Sequence, residues 1–243
     1  MKGRTIVLNQ PISTKVHPDF RIKEVPINDN GEELVRIDRL DAGLILEDPQ
    51  YYKQQLTGAL EHCYVRESVA QLLTNAAKDL PNGYRFVIWD GYRPYEVQKA
   101  IYNDYYQTIQ TKYPDREEQE WRRLTEDFVS YPSKNHDKPA PHITGGAVDL
   151  TIIDSSGNYL DFGTSFDDFS EKAHTAYYEV LAESCKLSKR EQQILNNRRL
   201  LYNVLVAQGF TNYYMEWWHF DYGNPWWAQQ TNKAHAIYGV ANL

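Results

Sequence analysis

Apolar positions change rhythm along the chain, and each change marks an element. Val65, Val69, Leu72, Leu73, Ala76 and Leu80 recur at spacings of three and four, the pattern of a helix buried along one face. Pro81-Asn82-Gly83 stops it. Arg85-Phe86-Val87-Ile88-Trp89 predicts a buried strand that ends in the turn residues Asp90-Gly91-Tyr92-Arg93-Pro94. A helix is expected to follow over 95–110. Residues 111–141 lose the periodicity and carry Pro114, Pro132, Pro139 and Pro141, which predicts a long loop with a short helix near 117–124. Ala147-Val148-Asp149-Leu150-Thr151-Ile152-Ile153 alternates as a strand, with Val148, Leu150 and Ile152 on one face and Ala147, Asp149 and Thr151 on the other. Ser155-Ser156-Gly157-Asn158 supplies a hairpin turn. Ser188 and Glu191 form a capping-box pair that opens a helix with Ile194, Leu195, Leu201, Tyr202 and Leu205 inward. Gly209 ends it, and 210–222 is the last strand candidate. Hairpin turns outnumber βαβ units, so the pattern predicts a single α+β domain with a mostly antiparallel central sheet flanked by helices. Residues 1–64, interrupted by Pro11, Pro18, Pro26 and Asn28-Asp29-Asn30-Gly31, read as an N-terminal arm and extension packed on a core of 65–223. Residues 224–243 form an aromatic tail.

Composition narrows the class. The 243 residues are 42% hydrophobic and 24% charged, which suits a globular domain and excludes a disordered chain. A net charge of −7 lacks the basic footprint of a nucleic-acid binder. No run approaches the roughly 18 apolar residues of a membrane span, and the first ten residues have no apolar stretch of secretory-signal length. A cytoplasmic location is therefore expected. Cys63 and Cys185 are too few for a disulfide framework and read as free thiols. The 19 tyrosines read as aromatic packing.

Three segments put chemistry-bearing residues beside tight turns and apolar strands. In Pro141-His142-Ile143-Thr144-Gly145-Gly146-Ala147-Val148-Asp149-Leu150, a Gly-Gly turn lets a loop imidazole and a strand carboxylate converge. Met215-Glu216-Trp217-Trp218-His219-Phe220 embeds a carboxylate and an imidazole in aromatics, and Arg93 stands on a turn at a strand end. Two histidines and one carboxylate are the three-ligand pattern of a catalytic zinc with an open position. Such a site needs a general base that is not a ligand, available in Glu216, and a charge partner for an oxyanion, suited to the planar donors of Arg93. The same residues also fit a turn histidine, a surface acid and a packed aromatic neighbour. Strict strand geometry sends 216 and 219 to opposite faces, so a bulge or chain end has to turn one of them.

The blocks His142-x-x-Gly145-x-Ala147-x-Asp149, Glu216-Trp217-Trp218-His219-Phe220 and Trp89-Asp90-Gly91-Tyr92-Arg93-Pro94 resemble the D-alanyl-D-alanine dipeptidase family. So does Leu160-Asp161-Phe162-Gly163-Thr164-Ser165-Phe166-Asp167-Asp168-Phe169. That family includes the vancomycin-resistance dipeptidase and belongs to a larger zinc D,D-peptidase group. The resemblance implies one zinc ion held by His142, Asp149 and His219, with Glu216 as catalytic base. It also implies Arg93 as stabiliser of the tetrahedral intermediate and Asp167 as the acid near the substrate amino group. The implied activity is hydrolysis of D-Ala-D-Ala or a similar small dipeptide. Rival readings are a D,D-carboxypeptidase or peptidoglycan endopeptidase of the same superfamily, and an inactive metal- or peptide-binding module. Ala140, Ile143 and Thr144 stand where the family has a serine before the first histidine and a Ser-Arg pair after it. Tyr51 and Tyr52 are the candidates for the family's substrate-contacting tyrosine. His17, His62, His136, His174 and His235 have no partner at ligand spacing and read as solvated or packed.

Overall fold

The computed structural model describes residues 8–15, 25–133 and 135–243. Regular structure begins with strands β1 (Leu34–Arg36) and β2 (Ile45–Glu47) and the one-turn helix α1 (Gln50–Lys53). Strand β3 (Tyr64–Arg66) runs directly into α2 (Glu67–Ala77), followed by β4 (Arg85–Asp90), α3 (Tyr95–Lys112) and α4 (Glu118–Glu126). A 3₁₀ turn at Pro141–Thr144 leads into β5 (Ala147–Ile153). Helices α5 (Tyr177–Ser184) and α6 (Lys189–Val206), strands β6 (Thr211–Asn212) and β7 (His219–Asp221), and α7 (Pro225–Gln230) complete the order. Residues 1–7 and 16–24 of the N-terminal arm, His17 among them, lie outside the described residues.

The central sheet runs β2-β4-β5-β7-β6, and only the β2–β4 pair is parallel. The expected α+β class with a mostly antiparallel sheet is what forms. The edge strand β2 comes from the 1–64 stretch, so that stretch contributes to the sheet itself. β1 and β3 make a separate antiparallel pair in which Val35 faces Val65. This pairing holds Val65 extended, so α2 starts at Glu67, two residues later than the periodicity suggests.

Val148, Leu150 and Ile152 point to one side of β5, as their alternation requires, and join Phe86, Ile88 and Phe220. α2 covers this side with Val69, Leu73 and Ala76, and α6 with Leu201, Val204 and Leu205. Each of the Val, Leu, Ile and Phe side chains, fully buried, contributes about 1.5–3 kcal/mol. The capping box of Ser188 and Glu191 opens α6 as expected. The opposite side of β5 is buried too. There a second cluster of Tyr51, Val97, Ile101, Tyr102 and Val129 stands over the sheet and leaves a hollow between them.

The expected loop over 111–141 and the expected strand over 210–222 both resolve into finer structure. The 111–141 stretch contains α4 close to the expected short helix. The 210–222 stretch is two short strands joined by a turn, because Asn212 Nδ2 donates to the carbonyls of Glu216 and His219 and folds the chain back. Cys63 is buried and Cys185 exposed, and they are unpaired. Among the described residues no helix is long and apolar enough to cross a membrane.

Candidate metal centre

The sheet register lines up the polar groups. Asp149 on β5 pairs across the ladder with His219 on β7 and with Asp90 on β4. Directly opposed residues share a face, with Cβ atoms about 4.5–5.5 Å apart. Without an irregularity Trp89 would oppose Asp149; a bulge between Ile88 and Asp90 brings Asp90 there instead. His142 arrives separately, on the 3₁₀ turn before β5. Gly145 closes that turn in the left-handed region (φ 70°), where a Cβ would also strike Leu34. A Cβ at Gly146 would collide with the carbonyl of Tyr222.

Three donor atoms converge. His142 Nε2 is 3.2 Å from His219 Nδ1 and 3.3 Å from Asp149 Oδ2, and His219 Nδ1 is 3.0 Å from Asp149 Oδ1. All three residues are buried. Donors at the corners of a tetrahedral zinc site, about 2.0–2.1 Å from the ion, sit about 3.3 Å from one another, so this set has the spacing and the N, N, O chemistry that zinc takes. The far ring nitrogens face acceptor oxygens, a usual accompaniment of ligating histidines. His142 Nδ1 lies 2.8 Å from the carbonyl of Gly91, and His219 Nε2 lies 3.2 Å from Asp221 Oδ2.

Glu216 sits in the turn between β6 and β7, which removes the parity conflict expected of a continuous strand. Its Oε2 is 3.9 Å from His219 Nδ1. Burial pushes the Glu216 carboxyl well above its ordinary range, with Asp149 and Asp167 adding to the effect and His219 opposing it. Burial works against the charged form of Asp149 as well, but the imidazoles of His142 and His219 outweigh it and hold its carboxyl far below the usual range.

Arg93 is nearly buried and fully engaged. Its Nε donates to Asp90 Oδ2 at 2.8 Å, Nη1 to Gln98 Oε1 at 2.8 Å, and Nη2 to Tyr51 Oη at 3.2 Å and Asp149 Oδ2 at 3.3 Å. Its guanidinium also lies over the Tyr51 ring, 4.8 Å from the centroid. Burial disfavours its charge, yet Tyr51, Asp90 and Asp149 more than compensate and keep it protonated. Of the two tyrosine candidates, Tyr51 is at the site and Tyr52 is 46% exposed. Tyr51 Oη also lies 3.2 Å from Asp167 Oδ2. Asp167 has φ 55° and a carboxyl raised by burial to about 7, against the opposing effect of Arg93. Its loop is fastened by Arg198, a buried cation on α6 that donates to the carbonyls of Phe162, Lys172 and His174.

All six site residues named from the sequence line one cavity of ≈ 40 Å³, with Ile101, Phe128, Val129, Phe169 and Trp226 as its apolar wall. Ala140, Ile143 and Thr144 do not line it. Thr144 Oγ1 instead donates to Pro141 O and accepts from Gly146 N, closing the turn, and Ile143 is buried, its carbonyl accepting from Ala241 N of the tail. Gln98, Asp221 and Asn224 were not singled out in the sequence. The available signal was positional: Asp221 follows His219 by two on the same strand face, and Asn224-Pro225 reads as a helix start. His62 departs from its expected isolation, with Glu47 Oε1 at 2.6 Å and Asp38 Oδ2 at 3.9 Å. His174 is not at the metal centre; its ring packs near Tyr214.

Residues 38–237 match the family described as D-ala-D-ala dipeptidase. The chain is 28% identical over 224 residues to a D-alanyl-D-alanine dipeptidase of Synechocystis sp., covering 87% of this chain and 90% of the relative. It is 30% identical to a D-alanyl-D-alanine dipeptidase of Enterococcus faecium, over 59% of this chain and 66% of the relative. A protein of the same name from Escherichia coli is 29% identical, over 58% of this chain and 56% of the relative.

Proposed function

The chain belongs to the D-ala-D-ala dipeptidase family, and on that footing we propose that it is a zinc dipeptidase that hydrolyses D-Ala-D-Ala or a similar small dipeptide. The observation that carries this reading is the convergence of His142 Nε2, Asp149 and His219 Nδ1 within 3.0–3.3 Å of one another, with a non-ligand carboxylate alongside. Zinc bound there supplies a Lewis acid for the scissile carbonyl and lowers the pKa of its water to about 7. Glu216, buried beside His219 and not itself a ligand, takes a proton from the attacking water and passes it to the leaving amine. Arg93 faces the negative charge that develops on the carbonyl oxygen. Its four protein contacts fix it there before substrate arrives, so little reorganisation remains for the reaction itself. Asp167 receives the substrate's ammonium group, and Tyr51 stands between Asp167 and Arg93 and fixes their separation. The narrow cavity and its apolar wall favour a short substrate with small side chains. Two unpaired cysteines support a reducing compartment, the cytoplasm, where free dipeptide would be met.

The test is alanine release from D-Ala-D-Ala by purified protein, before chelation, after chelation and after zinc is restored. L-Ala-L-Ala and a pentapeptide ending in D-Ala-D-Ala serve as comparisons. Zinc-dependent release from the free D,D-dipeptide alone is expected. Cleavage of the pentapeptide would instead make the protein a carboxypeptidase, and no cleavage despite one bound zinc per chain would overturn the substrate assignment.

A further inference from the structure

Behind His219 lies a carboxylate whose placement packing does not account for. Asp221 and Asn224 are both wholly buried. Asp221 Oδ2 lies 3.2 Å from His219 Nε2, and these two buried atoms have no hydrogen-bond partner among the described residues, which leaves each as the other's nearest complement. The other oxygen, Oδ1, accepts from Asn224 Nδ2 at 2.5 Å. Asn224 Oδ1 accepts in turn from Trp227 N, at 2.9 Å, and caps α7. No lysine or arginine pairs with Asp221 among the described residues. A carboxylate stripped of water and left with one oxygen unused is costly. Its one remaining neighbour of opposite polarity is the back of a histidine whose front faces the candidate zinc site.

We propose that Asp221 is a positioning residue for zinc binding. It accepts the Nε2–H of His219 and sets the ring so that Nδ1 faces Asp149 and His142, while Asn224 anchors the carboxylate. The register makes this possible: residues 219 and 221 share a face of β7, one pleat apart. His142 Nδ1 is held by the backbone carbonyl of Gly91 at 2.8 Å, with Asp90 Oδ2 at 3.4 Å. Asp221 is a position where orientation of the ligand set can be altered without touching a ligand. Loss of such an outer partner costs 10–100-fold in metal affinity. The same anchor places Trp226 on the first turn of α7, so the aromatic wall of the cavity and the metal ligand share one support.

This inference rests on the zinc reading, and the experiment separates the two. Asp221→Asn replaces one oxygen by an amide nitrogen, which must face either Asn224 Nδ2 or His219 Nε2–H, donor against donor. Adding Asn224→Asp restores an acceptor opposite that amide and keeps an acceptor for Trp227 N. Zinc affinity is measured by chelator competition, ligand geometry by the visible spectrum of the cobalt-loaded chain, and fold by the melting temperature without metal. Asp221→Asn is expected to weaken zinc about 10–100-fold and shift the cobalt spectrum, and the double variant to recover most of both. Should Asp221→Asn fail to fold, Asn224→Ala leaves the carboxylate present but unanchored, and it must weaken zinc in the same direction. Zinc affinity within about twofold of the parent chain in Asp221→Asn, or a double variant as weak as the single one, overturns the inference. So does a lowered metal-free melting temperature with unchanged zinc affinity, which would leave Asp221 a structural role only. A parent chain that takes up no zinc overturns the zinc reading itself.

Discussion

Replacing Asp167 by asparagine should stabilise the metal-free protein at pH 8 relative to its effect at pH 4. Burial raises the Asp167 carboxyl to about 7 in the folded chain, against about 3.9 for an aspartate in an unfolded one. Between these values the folded chain keeps a proton that the unfolded chain has released. Unfolding then releases a proton, so stability falls as pH rises through this window and is level above it. Three pH units at about 1.4 kcal/mol each come to about 4 kcal/mol, an upper bound because Asp167 is only partly shielded from solvent. Asparagine does not titrate and removes this slope. Urea unfolding of the parent chain and Asp167→Asn at unit pH intervals from 4 to 8 measures it. Titrations elsewhere in the molecule cancel in the difference between the two chains, leaving the contribution of this carboxyl. A difference that stays constant with pH, or shifts against the variant as pH rises, would refute the argument.

The same carboxyl explains why the position tolerates that cost. On the proposed role of Asp167, a substrate ammonium would supply a counter-charge there, so substrate binding would favour the ionised form while folding without substrate favours the neutral one. The KM for D-Ala-D-Ala should therefore rise as pH falls below 7. Asp167→Asn should lose that dependence together with about 10²-fold or more of kcat/KM, the loss expected when one partner of a buried charge pair is removed.

Glu216→Gln should retain one zinc per chain while kcat falls about 10²–10⁴-fold; turnover near that of the parent chain at full metal content would exclude Glu216 as the base. Arg93→Lys keeps the charge but cannot reach Asp90, Gln98, Tyr51 and Asp149 together, so kcat should fall about 10²–10³-fold in steady-state assays, and a change confined to KM would remove Arg93 from the transition state. Free zinc at 100 times its dissociation constant should raise the unfolding free energy by about 2.7 kcal/mol, read from denaturant midpoints with and without metal, and His142→Ala should abolish most of that increment.

What could be read from the sequence depended on how locally each feature is encoded. The 3.6-residue recurrence through Leu72 and Leu73, the alternation of 147–153 and the Ser188–Glu191 cap are properties of adjacent residues, and they reappear in α2, β5 and α6. The candidate ligands were visible for a related reason: His142 and Asp149 are linked by a turn of two glycines, and Glu216 and His219 by a single turn. β2 was missed because three residues of Ile-Leu-Glu become a strand only when β4 offers them a parallel edge. Asp221 was missed because nothing next to it in sequence says that its carboxylate is buried; that follows from β5, α7 and Asn224 closing around it. Tyr51 and Asp167 are 116 positions apart and meet only once the sheet places Arg93 near both. Ala140, Ile143 and Thr144 show the converse error. Read along the chain they are changes beside a ligand, yet all three are buried away from the cavity lining, and the Thr144 hydroxyl closes the 3₁₀ turn itself. Proximity in sequence to a reactive group therefore overstates a residue's part in the chemistry where the backbone turns between them, and it understates that part where a ladder joins distant strands.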